Sequence, residues 1–297
     1  GGNITTGNLG GTRLSTVNVV SGNTINLGNV NSAGAVQVGS GAAGTGAVNF
    51  NGTVDGTAIT LAGGGNVGDV TFDGAVNGNA LTMGAVGSVG NVVFNAATTL
   101  TSVDIRQGTG TITDGAAGSR TVAGLTYLDT TGNITLDSAA NDFATVDVQN
   151  SAGGGNIDVA LVDANAITVN QIVAADNVNT LAVTGTASTA TAGVETSGDQ
   201  TFTGTTNAGA LTSTGGSLTI DGAATLNGNL TTTNDDVSVT GATTLAADIT
   251  IDTGGGGGNI AFASTVEGAQ PLDLAAETRN VSFRAQVAST HALKNFK

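Results

Sequence analysis

Apolar and polar residues alternate strictly along short stretches of this chain. Val48 and Phe50 are separated by Asn, Val70 and Phe72 by Thr, Leu218 and Ile220 by Thr, Val237 and Val239 by Ser, and Ile249 and Ile251 by Thr. A period of two, with β-branched and aromatic residues on one side, predicts half-buried strands of about three to five residues. Nothing repeats at the helical period of about 3.6, so the prediction contains essentially no helix. Gly, Asn-Gly and Asp-Gly punctuate the strands and supply the positive φ that sharp corners need.

The alternating stretches belong to a longer repeat. Gly46-Ala-Val-Asn-Phe50-Asn-Gly52-Thr-Val54-Asp-Gly56 returns as Gly68-Asp-Val-Thr-Phe72-Asp-Gly74-Ala-Val76-Asn-Gly78 and begins again at Gly90-Asn-Val-Val-Phe94, with the phenylalanines 22 residues apart. Val183-Thr-Gly185, Phe202-Thr-Gly204, Ile220-Asp-Gly222 and Val239-Thr-Gly241 place their glycines 19, 18 and 19 apart. Gly132-Asn-Ile-Thr-Leu136 and Gly155-Asn-Ile-Asp-Val159 lie 23 apart, and Phe262 and Phe283 lie 21 apart. A β-sandwich repeats its topology only after about 100 residues, and an outer-membrane barrel needs strands of about 10 residues with aromatic girdles. A coil of roughly 20 residues instead stacks on the next as a parallel solenoid. The expected fold is therefore all-β, a right-handed parallel β-helix (β-solenoid) with about 18–23 residues per rung, right-handed because parallel crossovers are. Residues 1–278 are read as one solenoid rod, with a looser joint near 253–258 where glycines run together, and residues 279–297 as a basic C-terminal rung, cap or assembly segment.

Composition narrows the reading. Gly is 48 of 297 residues, aromatics are 3% and charged residues 10%, far from the usual globular balance. Disorder is opposed by 39% hydrophobic residues and a mean hydropathy of +0.19, which allow a core. Collagen is excluded because Pro271 is the single proline and the glycines do not fall on every third position. There is no Cys, hence no disulfide framework and no thiolate site. The net charge of −15 argues against nucleic acid as a partner, and no apolar run reaches the roughly 18 residues that would insert in a membrane. The first ten residues carry no charged stretch followed by an apolar one, so a soluble mature chain or an excised fragment is expected.

Units of the form G-N-[IV]-x-F-x-[GAS]-x-V-x-G, from about Gly46 to Phe283, resemble the strand repeats of giant bacterial surface proteins. These include filamentous-haemagglutinin-like adhesins and autotransporter passenger domains. The resemblance implies a right-handed β-helix at the cell surface or in the medium, with a role in attachment, filament formation or biofilm structure. The given residues contain neither the N-terminal secretion module nor the C-terminal membrane barrel of that family, so a fragment of a much larger polypeptide or a different export route is expected. The resemblance transfers no functional residue.

Candidate chemistry is sparse, and no catalytic, cofactor-binding or metal-binding residue is assigned. Gly39-Ser-Gly41-Ala-Ala-Gly44 matches G-x-G-x-x-G, but a strand rather than a helix follows it, which removes the dinucleotide reading. His291 is the only imidazole. Asp235, Asp236, Asp248 and Asp252 are the nearest approach to the clustered carboxylates of β-helical glycan-cleaving enzymes, and they are read as solvated corners. Sporadic Ca²⁺ at Asp- and Asn-rich corners is the one metal expectation, without a named ligand. Sequons at Asn3, Asn51, Asn133, Asn229 and Asn280 are what so Asn- and Thr-rich a chain contains by chance. Thr111-Ile-Thr113 and Thr201-Phe-Thr203 have the form of ice-binding faces without recurring at the rung period. Arg279, Arg284, Lys294 and Lys297 put four of the seven Lys and Arg residues in the last nineteen positions, beside His291. They form either a polar cap over an open edge or a docking end for the next subunit. The expected function is an extracellular structural protein at the cell surface, a filament subunit or adhesin stalk. The alternatives are a carbohydrate- or ice-binding solenoid module and, behind it, a polysaccharide lyase or hydrolase. Expected partners are further copies of the chain in a fibre, the continuation of a longer polypeptide, and surface glycans.

Overall fold

A computed structural model describes residues 2–115 and 118–287. The chain is an all-β parallel solenoid, with a single 3₁₀ turn, Ala174–Asp176, as its helical element among the described residues. It divides into two compact units, residues 1–155 with 162–164 and residues 156–161 with 165–297.

In the first unit each coil contributes three strand segments, and each segment pairs in parallel with its counterparts on the coils before and after. One column runs through Thr24–Leu27, Ala47–Phe50, Val70–Phe72, Val92–Phe94 and Ile112–Asp114. The other two are drawn from long strands that bend at a corner, such as Val54–Leu61 and Val76–Met83. Because side chains alternate between faces, every second residue of a segment points inward. Ile25, Val48, Val70, Val92 and Ile112 are each 1% exposed or less and sit one above another in register.

The neighbouring column holds the aromatic core. Leu27, Phe50, Phe72 and Phe94 are in register, with ring centroids 4.8 Å apart for Phe50 and Phe72 and 5.2 Å for Phe72 and Phe94, and the rings within 6° of parallel. That spacing is the rung spacing itself, so identical residues on successive coils stack without any adjustment of backbone. Glycine corners allow the coils to approach. A Cβ on Gly46 would stand 1.6 Å from the Asn23 carbonyl oxygen, and one on Gly74 would stand 2.1 Å from the Gly52 carbonyl carbon.

The second unit repeats the plan with shorter coils. Gln200–Ala208, Leu218–Asp221, Val237–Val239, Ile260–Phe262 and Val281–Phe283 stack in parallel. A separate five-stranded sheet is formed by Val194–Thr196, Leu211–Ser213, Leu230–Thr232, Ile249–Asp252 and Leu272–Ala275. Residue-to-residue spacing between paired coils ranges from 17, for Val194 and Leu211, to 23, for Ile249 and Leu272. Inward hydroxyls at one corner, on Thr196, Ser213 and Thr253, donate to the Gly198, Gly198 and Gly258 carbonyls at 2.7, 2.7 and 3.0 Å. They satisfy corner carbonyls that the ladder leaves over. The glycine-rich stretch 254–258 forms a corner of this unit, with Gly254 and Gly257 both at φ +72. Arg279 and Arg284 flank the Val281–Phe283 strand, and Arg279 Nε donates to Gly257 O at 3.3 Å. His291, Lys294 and Lys297 lie outside the described residues.

Candidate functional site

Most Asp and Asn side chains are committed to holding one coil on the next. Asp69 Oδ1 accepts from Asn91 N and Nδ2 at 2.9 and 3.0 Å, and Asn91 Oδ1 accepts in turn from Thr111 N at 2.9 Å. In the second unit Asp236 Oδ1 takes Asn259 N and Nδ2 at 2.7 and 3.0 Å, and Asp199 Oδ1 takes Ser217 N at 2.8 Å. A corner N–H with no ladder partner is thus capped by the coil before it, a contribution of about 1 kcal/mol per bond. This explains why Asp and Asn recur at corners.

Asp158 shows the electrostatic consequence. Hydrogen bonds from Asn179 Nδ2 and Thr180 Oγ1, both at 2.8 Å, hold its carboxyl below the usual carboxylate range. A carboxyl depressed by folding contributes stability that is present above its unfolded pKa and is lost as pH falls through its folded one. Asp158→Asn should therefore flatten the loss of stability between pH 7 and roughly pH 3, as read from urea midpoints; an unchanged pH profile would count against this capping role.

The candidates singled out from sequence fall in both units. Residues 39–44 make a corner between the Ala35–Val38 and Ala47–Phe50 strands, with Gly39 at φ +71. Asp252 Oδ1 accepts Gly254 N at 2.9 Å and Asp236 Oδ1 accepts Asn259 N at 2.7 Å, at the two ends of the glycine-rich turn, and no three Asp, Glu or His side chains among the described residues are close enough to share a metal ion. The Thr-x-Thr form does not recur, since Thr203 stacks on Asp221, but its first threonine begins a single outward column. Thr201, Thr219 and Ser238 occupy one outward column on three successive coils before Ala261 interrupts it.

Three non-repeating constellations emerge that sequence inspection missed. On the outer face of the first unit, Asp104, Tyr127 and Asp147 are in register. Arg106 Nε binds Asp104 Oδ1 at 2.8 Å and its guanidinium carbon lies 5.0 Å from the Tyr127 ring centre, while Tyr127 Oη donates to Gln149 Oε1 at 2.7 Å. Burial, then the nearby Asp129 carboxylate, push the Tyr127 hydroxyl above its ordinary pKa. Each of these groups already has a partner, so the cluster acts as a staple across coils.

The second constellation is internal to the first unit. Asp114 falls in the column position where the preceding coils carry Phe50, Phe72 and Phe94. Arg120, 3% exposed, extends its guanidinium to within 5.7 Å of the Phe94 ring centre and takes the place of the next ring. Its Nη1 stands 3.7 Å from Asp114 Oδ2 and its Nη2 donates to the Phe94 carbonyl. Burial lowers the Arg120 pKa, opposed by Asp114. A signal existed in sequence: the unit beginning at Thr111 carries Asp where its predecessors carry Phe.

The third is a concave site in the second unit. Residues 173–177 leave the alternating pattern and project as an overhang built on the 3₁₀ turn. Asp176 Oδ2 accepts Val173 N at 2.7 Å, Asn177 takes the left-handed conformation at φ 50, and Asn177 Nδ2 donates to Ala175 O at 3.0 Å. Two open clefts of about 190 and 180 Å³ flank this overhang. Glu195, on the outer face of the Val194–Thr196 strand, is the one residue lining both. Neither ion pair found among the described residues involves it.

Comparison with family models, with curated proteins and with solved structures finds no match to the chain.

Proposed function

We propose that the chain is a structural segment of an extracellular bacterial surface protein, a β-solenoid scaffold serving as filament subunit or adhesin stalk and not as a catalyst. The observation that carries this reading is the in-register stacking of like residues along both units, which commits most strands and most Asx side chains to coil-on-coil cohesion. Such an array has nearest-neighbour stability and a densely hydrogen-bonded backbone, properties suited to length and to protease resistance. Further support comes from the resemblance of the repeat units to adhesin strand repeats.

A second reading is a ligand-binding solenoid module, favoured by the outward hydroxyl column of Thr201, Thr219 and Ser238. Electron microscopy of the purified chain separates the two. The scaffold reading expects unbranched fibres with a regular axial repeat together with slow digestion by a nonspecific protease. Isolated particles that are digested rapidly would overturn it.

A further inference from the structure

We propose that the paired clefts around Glu195 bind a glycan carrying free amino groups. Two adjacent sugar units fill the clefts, and a protonated amine meets the Glu195 carboxylate at their junction.

The argument begins with the overhang, an excursion that buries no large apolar side chain and leaves Val173 40% exposed. In repeat solenoids such insertions project from one face and commonly carry binding, because they can vary without disturbing the stacked core. This one is held rigid by the Asp176 cap and the left-handed Asn177, and its Asn177 carbonyl accepts Ile157 N at 3.0 Å. A site that is preformed loses little entropy on binding.

The lining then selects the ligand. One cleft presents Asn156, Asn177, Ser197 and Thr214 around Glu195, and the other presents Gln171 and Thr212. Asn156 Nδ2 already donates to Ser197 Oγ at 2.7 Å and Asn177 Nδ2 to Ala175 O at 3.0 Å, which orients these side chains, and six neutral polar groups around one carboxylate match a polyol bearing a single cation per unit. A lysine side chain would engage the carboxylate and leave the hydroxyls and carboxamides idle. Ala174, Val173 and Ala192 supply the small apolar walls against which a sugar ring's C–H face can rest. The sign of the charge follows from the whole chain: with a formal net charge of −15 it repels anionic glycans and attracts cationic ones. The site adds binding to the scaffold reading and does not depend on whether the chain polymerises.

Isothermal titration of the full chain tests the proposal, using a glucosamine tetrasaccharide with free amines and its fully N-acetylated counterpart, at a pH where the sugar amine is protonated. The free-amine sugar is expected to bind and the acetylated one to bind at least on the order of tenfold more weakly, the loss expected for a charge-assisted contact. Glu195→Gln should weaken binding by a similar factor, and Ala174→Phe, on the exposed overhang, should block it by filling the cleft. Glu277→Gln, an exposed carboxylate elsewhere on the same unit, should change nothing. Far-UV circular dichroism of each variant separates loss of the site from loss of the fold. The proposal is overturned by equal affinity for both sugars, by no binding of the free-amine sugar, by full binding in Glu195→Gln or Ala174→Phe, or by an equal loss in Glu277→Gln. Displacement of the sugar by an equimolar tetralysine peptide would assign the site to basic protein segments instead.

Discussion

Phe72→Ala is expected to lower folding stability by about 3–5 kcal/mol, the range for deleting a fully buried aromatic ring from a packed core. Phe72 is 0% exposed and lies between two parallel rings at 4.8 and 5.2 Å, so its removal leaves a void that neither neighbour can fill without abandoning its own coil. In a stacked array the damage falls on two interfaces at once, since each coil is stabilised chiefly by the coils on either side. Phe283→Ala removes a half-buried ring that stacks on Phe262 at 5.2 Å, and should cost less than half as much, about 1–2 kcal/mol. Urea denaturation followed by circular dichroism measures both. A midpoint for Phe72→Ala no lower than that of Val86→Ala, an exposed control, would refute the stacked-core account.

The second large effect concerns the buried charges below that stack. Asp114→Ala is expected to cost about 3–5 kcal/mol, because it leaves the Arg120 guanidinium buried without its counter-charge. It also strands the Asp137 N and Asn141 Nδ2 donors, which reach Asp114 at 2.9 and 2.8 Å. Arg120→Met should behave differently. The Arg120 Nε and Nη1 atoms have no hydrogen-bond partner, and the guanidinium borders a small cavity walled by Phe94, Ile112, Leu128 and Phe143. An apolar chain of similar length can fill that space, and Asp114 keeps its donors from Asp137 N and Asn141 Nδ2, so the single change should cost less than Asp114→Ala although it removes the aspartate's counter-charge. Adding Arg120→Met to Asp114→Ala should recover most of the loss. A double variant no more stable than Asp114→Ala alone would show that the aspartate acts through its backbone contacts and not through the arginine.

Both predictions bear on how far sequence reasoning reached. The phenylalanine stack could be read directly, because a spacing of 22 places Phe50, Phe72 and Phe94 in one column whenever the coil length is constant. The Asp114 and Arg120 pair was hidden although its members are close in sequence. Their contact depends on the guanidinium crossing from its own column, shared with Thr98, to the phenylalanine column. The Glu195 clefts were less legible still. Their walls come from residues near 156, 174, 195 and 214, and nothing in a polar stretch such as Ala174-Ala-Asp-Asn177 announces a concave surface.

Alternation and period, which are local properties of the chain, determined that it would be built of short parallel strands, which side chains face inward, and where the glycine corners fall. Coil-on-coil register was decided only in three dimensions. Coil length drifts between 17 and 24 residues, so a shift of one position changes which outward side chains become neighbours a rung apart. Inward positions tolerate that drift because one aliphatic residue stacks on another equally well. Outward constellations do not, since a carboxylate, a guanidinium or a carboxamide gains from a neighbour only when distance and direction are met.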